Sequence, residues 1–215
     1  MDNLREKFSN HQQLAVICNG SITNYPLIKS YLKTFSSLIA VDGGTSHCHA
    51  MDLTPDLIIG DIDSSSPEIL SAYAEVPRET FPQLKDKTDL ELALELLISE
   101  TTRELTLFGA LGKRLDHTLT NCLLLTRYPG KLYIQSETER VVVIDKSLKL
   151  ICQLGQTLSL IPLNGPVSGI YTQGLKWPLT DGLLDKTWIG ISNVAEHIEV
   201  TISVECGDLL CCLNL

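Results

Sequence analysis

Two short acidic clusters hold the residues best suited to chemistry in this sequence. Gly60-Asp61-Ile62-Asp63-Ser64 follows the apolar run Leu57-Ile58-Ile59, and Lys85-Asp86-Lys87-Thr88-Asp89 precedes an amphipathic run. Asp61 and Asp63 are two positions apart, so on extended backbone their side chains share a face. Carboxylates that close repel unless a cation or a proton lies between them. A hard cation such as Mg²⁺ takes a few carboxylates, several waters and substrate phosphates as ligands. The pattern points to metal-assisted handling of a phosphorylated substrate. A structural reading competes: Ser64-Ser65-Ser66-Pro67 suits Asx-turn chemistry around the first cluster. Thr88 and Asp89 equally suit the start of a helix, as N-cap and as dipole partner.

Other motifs join these two. In Asp42-Gly43-Gly44 the glycines form either a plain turn or a place where phosphate or ribose approaches the backbone. Gly109 to Asp116 reads Gly-Ala-Leu-Gly-Lys-Arg-Leu-Asp, a glycine-bearing loop with two cations. It is either a solvated loop or a phosphate-facing one in which Lys113 and Arg114 offset charge, Arg with bidentate geometry that Lys lacks. His47, His49 and His117 have no metal-ligand spacing and are expected at the surface or in loops. Trp177 and Trp188 read as core or cover. Trp177, between Gly174-Leu175-Lys176 and Pro178, is the better ligand platform of the two.

These motifs must be positioned by regular elements. Strands are expected at 14–18, 38–41, 57–59, 104–108 and 131–134, and helices at 25–34, 67–73, 88–99 and 116–127. Thr88 and Glu91 form a capping box at the start of the clearest helix. Strand–helix alternation implies a mostly parallel sheet with helices on both faces, and ligands at the carboxyl ends of its strands. Asn19-Gly20, Asp42-Gly43-Gly44, Gly60-Asp61 and Gly109 all sit at such ends. From about Val141 onward no helix is expected. Short β-rich runs at 148–152, 157–161, 167–171, 187–191, 197–204 and 209–213 imply a small sandwich or barrel. A domain boundary falls near 145–147, giving domains 1–146 and 147–215.

Bulk properties bound the function. The 215 residues carry a net charge of −9, which argues against nucleic-acid binding through clustered cations. An acidic protein that binds polyphosphate needs local positive charge from a metal or placed basic residues. Seven cysteines, none in Cys-x-x-Cys, suit a reducing compartment. No run approaches the ~20 apolar residues of a membrane helix, and Met1 to Gln13 has no apolar signal core. A cytoplasmic protein without membrane attachment is expected.

Taken together, the motifs resemble thiamine pyrophosphokinase (thiamine diphosphokinase). The matching pieces are 41–44, Pro55 to Ser64, Lys85 to Leu94, Gly112 to His117 with Asn121, Gly174 to Leu179, and Ile191-Ser192-Asn193. The resemblance implies a homodimer of chains with an N-terminal α/β sandwich domain and a C-terminal antiparallel β-sandwich. It implies transfer of the terminal diphosphate of ATP to the thiamine hydroxyl, releasing AMP, with the site near the subunit interface. Asp61, Asp63 and Asp89, with Asp42 as a further candidate, would hold Mg²⁺. Arg114 and Asp116 would line the cleft between nucleotide and thiamine as catalytic residues. ATP would be met by Asn19, Gly20, Asp42, Gly43, Gly44, Ser64, Lys85, Thr88 and Lys113. Trp177, Ser192 and Asn193 would meet thiamine. The chain departs from the family's frequent Gly-Gly-Arg, having Gly112-Lys113-Arg114 instead.

The chemistry suits these residues. Attack of a primary alcohol on the β-phosphorus needs in-line positioning and neutralisation of charge. Thiamine is a cation, so a carboxylate-lined cleft with an aromatic wall is a suitable host. The alternatives are a diphosphokinase for another heterocyclic alcohol such as a pterin, a nucleotide- or thiamine-binding protein without turnover, and a metal-dependent phosphohydrolase.

Overall fold

The computed structural model describes residues 13–60, 66–81, 86–100, 102 and 104–215. Asp61, Asp63, Ser64 and Lys85 therefore lie outside the described residues. Two compact units emerge, one of residues 1–121 with 135–137, the other of residues 122–134 with 138–215.

The first unit is built on a parallel sheet. Its strands are β1 (Gln13–Ile17), β2 (Ser37–Val41), β3 (Leu57–Ile59), β4 (Arg78–Glu79) and β5 (Glu104–Phe108). They lie in the order β4-β3-β2-β1-β5, with every pairing parallel. Near-continuous apolar runs such as Leu14-Ala15-Val16-Ile17 suit strands covered on both faces. One face packs Ala15, Ile17, Ala40, Ile58 and Phe108 into a single cluster with Ile28, Cys48, Met51, Ile69 and Tyr73. The alternate residues Leu14, Val16, Ile39, Leu57, Leu105 and Leu107 are buried as completely.

The helices of this unit are α1 (Tyr25–Leu32), α2 (Gly44–Ala50), α3 (Pro67–Ala72), α4 (Asp89–Leu97) and α5 (Leu115–Leu124), which continues into a 3₁₀ turn at Leu125–Arg127. α2 packs on β1 and β2, and α4 packs on β2. The Thr88–Glu91 capping box forms as the spacing predicts, each side chain accepting from the other residue's backbone N–H. α2 and β4 are additions to the sequence expectation. α2 reads Gly-Thr-Ser-His-Cys-His-Ala and offers too little apolar periodicity to announce a helix.

The second unit contains no α-helix of its own beyond the end of α5. β6 (Leu132–Gln135) lies beside β7 (Glu139–Ile144). β8 (Ser147–Ile151), β9 (Thr157–Gln173), β10 (Gly182–Leu184), β11 (Gly190–Val194), β12 (Glu199–Ser203) and β13 (Cys206–Asn214) follow. The pairing is antiparallel, with β13 between β7 and β9, β12 between β9 and β8, and β10 and β11 also on β9. Val142, Leu158, Leu160, Val167, Ile170, Leu184, Val200, Ile202 and Leu209 form its core.

β9 corrects one expectation. The runs 157–161 and 167–171 are parts of one 17-residue strand, not two strands. Pro162, Asn164, Gly165 and Pro166 read as a break, yet the ladder continues past them. Asn164 (φ 53°) and Gly165 (φ 139°) take up a bend, and the pairing with β13 shifts register there. The strand expected at 187–191 is also displaced, to Gly190–Val194, because Asp185 folds 185–188 into a turn. It does so by accepting from the Thr187 and Trp188 amides.

Candidate functional site

A cavity of about 470 Å³ opens at the carboxyl ends of the first unit's strands. Its wall comes from the ends of β1 and β2, the start of α4, the loop after β5 and the first turns of α5. β1 is followed toward β2, whereas β5 lies on its other side. The crevice outside β1 and β5 is thus the switch point where such sheets bind ligands.

Each strand end contributes a local device. After β1, the Gly20 amide donates to Gly109 O at 2.5 Å, and the Ser21 amide to Leu111 O at 2.7 Å. A Cβ on Gly20 would lie 2.3 Å from Gly109 O, so only glycine allows the two loops to approach this closely. After β2, Asp42 is held at φ 48°, with its amide donating to Ile59 O.

After β3 comes the most informative contact. Gly60 has φ 103°, and a Cβ there would stand 2.1 Å from Asp42 Oδ1 and 3.3 Å from Asp89 Cγ. Asp42 ends β2 and Asp89 opens α4, and both carboxylates reach the backbone just ahead of the Asp61–Asp63 segment. Two carboxylates converging on one glycine are the donor chemistry a hard cation uses. Among the described residues, no group of three or more His, Cys, Asp or Glu side chains forms a metal site.

The Gly109 to Asp116 loop is stitched rather than loose. Asn121 donates to Ala110 O at 2.7 Å. Thr118 Oγ1 accepts from the Gly112 amide and donates to Arg114 O, both at 3.1 Å. Lys113 sits at φ 57°, the left-handed region that favours glycine. Its Nζ donates to Asn19 Oδ1 at 3.2 Å. Arg114 grips Asp116 with Nε to Oδ1 at 3.1 Å and Nη2 to Oδ2 at 2.5 Å. That hydrogen bond depresses the Asp116 pKa and raises that of Arg114. Both side chains are exposed where they line the cavity, so the pair adds little stability.

In the second unit, Trp177 is 55% exposed, with Lys176 Nζ 4.9 Å from its ring centroid. Asn193 Oδ1 accepts from the amides of Trp177 (3.1 Å) and Val194 (2.9 Å), and its Nδ2 donates to Trp177 O at 2.7 Å. Its amide is spent on holding the Trp177 backbone. Ser192, at φ 59°, donates its amide to Ser159 Oγ. Trp188 is exposed, not core, and borders a second cavity of about 500 Å³ with Leu183 and Asp185.

The first cavity therefore gathers Asn19, Gly20, Asp42, Thr88, Asp89, Lys113, Arg114 and Asp116. Gly43 and Gly44 pack behind it, against Asn19 and Ile17 O respectively. Trp177, Ser192 and Asn193 gather in the second unit. His47 departs from its surface expectation, being buried on α2. Sequence reasoning missed Thr118 as a loop tie and Glu137, whose carboxylate accepts from the Thr23 and Asn24 amides ahead of α1. Burial alone would raise the Glu137 pKa, but those amide bonds bring it below the ordinary value. No local pattern marks either residue.

The model of the thiamin pyrophosphokinase catalytic domain matches residues 28–138, and that of the thiamin pyrophosphokinase vitamin B1 binding domain matches residues 141–209. The chain belongs to the thiamine pyrophosphokinase family. It is an enzyme of that kind. Thiamine pyrophosphokinase 1 of Oryza sativa subsp. japonica is 26% identical over 180 residues, 77% of this chain and 68% of that protein. Thiamine pyrophosphokinase of Bacillus subtilis is 25% identical over 209 residues, 91% of this chain and 95% of its own length. The crystal structure of thiamin pyrophosphokinase from Geobacillus thermodenitrificans superposes with a TM-score of 0.84 at 25% identity, covering 94% of this chain and 97% of that one. The Bacillus subtilis structure shares the fold, with a TM-score of 0.82 at 22% identity over 94% and 98% of the chains.

Proposed function

We propose that the chain transfers the terminal diphosphate of ATP to the hydroxyl of thiamine, giving thiamine diphosphate and AMP. The convergence of Asp42 and Asp89 on Gly60 carries this reading, because it places carboxylates beside a cavity that also holds Lys113 and Arg114. The thiamine oxygen bonds to the β-phosphorus, the bond from that phosphorus to the α–β bridging oxygen breaks, and AMP leaves. The hydroxyl proton passes to solvent water as the new bond forms.

Asp61, Asp63, Asp89 and Asp42 would hold Mg²⁺. Bound there, the ion would neutralise polyphosphate charge. Asn19, Gly20, Gly43, Gly44, Ser64, Lys85 and Thr88 would border the nucleotide, on residues 1–146. Arg114 would place its planar charge on the transferring group, oriented by the paired Asp116. Trp177 would stack on the thiamine cation, with Asn193 fixing the backbone beneath it and Ser192 adjacent, on residues 147–215. The same proposal includes a β-sandwich arrangement of the second unit, a homodimer with the site near the subunit interface, and a cytoplasmic location. All seven cysteines are free, as a reducing compartment would leave them. No helix among the described residues is long and apolar enough to cross a membrane.

AMP release from Mg-ATP, with and without thiamine, tests the reading when the product is identified by mass. Thiamine-dependent AMP with matching thiamine diphosphate supports it. AMP or phosphate without an acceptor would replace it with hydrolysis. No AMP with thiamine, but AMP with a pterin alcohol, would replace the acceptor.

A further inference from the structure

His47 is 6% exposed, yet it bonds to Gly20, which lines the cavity. Its Nε2 is 2.9 Å from Gly20 O, and its Nδ1 is 2.9 Å from Tyr25 Oη. A carbonyl only accepts, so Nε2 carries the proton. Nδ1 then offers its lone pair to the tyrosine hydroxyl. One tautomer satisfies both bonds, and α1 and α2 hold the ring between them.

Gly20 is the residue through which this clamp acts. Its amide is already tied to Gly109 O, so both polar atoms flanking the 19–20 turn are fixed. Asn19 precedes it, accepts from Lys113 Nζ, and lies 2.4 Å from where a Gly43 Cβ would stand. The turn therefore transmits its orientation to Lys113 and to the end of β2.

We propose that His47 is a positioning residue for the polyphosphate side of the site, fixing the Asn19–Gly20 turn and, through Asn19, the Lys113 ammonium. This inference rests on the functional reading above. Burial holds the ring's pKa below its ordinary value; the Gly20 bond opposes that, Lys113 adds to it and Glu137 opposes it. In the neutral ring so favoured, Nε2 donates to Gly20 O and Nδ1 accepts from Tyr25 Oη.

The test is calorimetric titration of the whole protein with Mg²⁺ and α,β-methylene ATP, whose α–β bridge does not break, alongside thiamine. His47→Leu should weaken analogue binding roughly tenfold, as expected for loss of a buried polar bond with its partner left unsatisfied. Thiamine affinity should stay within about twofold, because no bond of the clamp reaches the second unit. His47→Gln keeps an N–H near the Nε2 position and should restore most of the nucleotide affinity. A folded His47→Leu protein with wild-type analogue affinity overturns the inference. So does equal weakening of both ligands, or a Gln variant no better than Leu. If His47→Leu fails to fold, Tyr25→Phe carries the test: a loss of about threefold for the analogue alone supports the clamp, and no loss overturns it. Wild-type protein that does not bind the analogue would overturn the functional reading itself. Wild-type binding with indifferent variants overturns only the role of His47.

Discussion

Gly60→Ala should damage metal dependence and stability together, for two separable reasons. The first is backbone: φ 103° lies in a region that L side chains rarely adopt. Holding alanine there costs on the order of 1–3 kcal/mol. The second is contact: the new methyl would stand 2.1 Å from Asp42 Oδ1, far inside van der Waals distance, and 3.3 Å from Asp89 Cγ. The Asp42 carboxylate can escape only by rotating away from the glycine, which removes it from the position where Asp89 also points. The melting temperature should fall by about 2–4 °C for each kcal/mol in a chain of this size. The Mg²⁺ concentration giving half-maximal AMP release should rise roughly 10–100-fold, the range seen when a ligand's support is lost. A double-mutant cycle separates the terms. In an Asp42→Ala background the 2.1 Å clash is gone, so Gly60→Ala should cost less, leaving the backbone part and the 3.3 Å approach to Asp89 Cγ. Thermal melts and Mg²⁺ titrations of the four proteins give the answer. An equal cost in both backgrounds refutes the contact argument, and an unchanged Mg²⁺ requirement in folded Gly60→Ala refutes the convergence of carboxylates as a metal site.

Four further outcomes follow from the same geometry. Asp89→Asn should leave the Thr88–Glu91 capping box intact, lowering stability by no more than about 1 kcal/mol while cutting AMP release on the order of 100-fold; melts and initial rates separate the two. Arg114→Lys should leave the melt unchanged, because the pair is exposed, yet reduce kcat/KM for ATP at least roughly tenfold through loss of the planar fork. Lys113→Gly should relieve left-handed strain and raise the melting temperature, whereas Lys113→Ala should not, and steady-state kinetics should show a higher ATP KM for both. Burial pushes the Cys18, Cys48 and Cys211 thiols up to about 12, so iodoacetamide at pH 8 should label exposed Cys206 well before them by peptide mass; rapid labelling of Cys18 in folded protein would contradict the packing.

A pH consequence follows for Asp116. Its pKa is depressed by the hydrogen bond from Arg114. The interaction is therefore complete above the unfolded carboxylate value and is lost as pH falls through the lowered one. Any acid limb of the rate profile near neutral pH must come from another group, and Asp116→Asn should leave such a limb in place.

Several parts of this protein were legible because their causes are local. The run Leu14 to Ile17 announces a strand covered on both faces. Thr88 and Glu91 announce a helix start, because a capping box needs only residues three apart. Glycines at 20, 43, 60 and 109 mark strand ends, and an alternating strand–helix order makes those ends one edge of one sheet. The motifs were therefore placeable, and their order along the chain carried the family resemblance.

Other parts lacked a local cause. α2 is short and rich in polar residues, so no periodicity reveals it or the burial of His47. β9 reads as two strands because Pro162, Gly165 and Pro166 look like punctuation, and only pairing with β13 decides that the backbone bends and continues. Asn193 is a thiamine-side candidate by its motif, and nothing in that motif announces that its amide also ties the Trp177 backbone.

The sequence by itself determined which residue types exist for the chemistry and which strand ends and helix starts present them, since these follow from composition, spacing and short-range capping. Tertiary structure alone decided that Asp42 and Asp89 meet at Gly60. They are far apart along the chain, and nothing in either segment encodes the other. The parallel order β3-β2-β1 sets the strand ends side by side, and α4 packing on β2 brings its first residue to them.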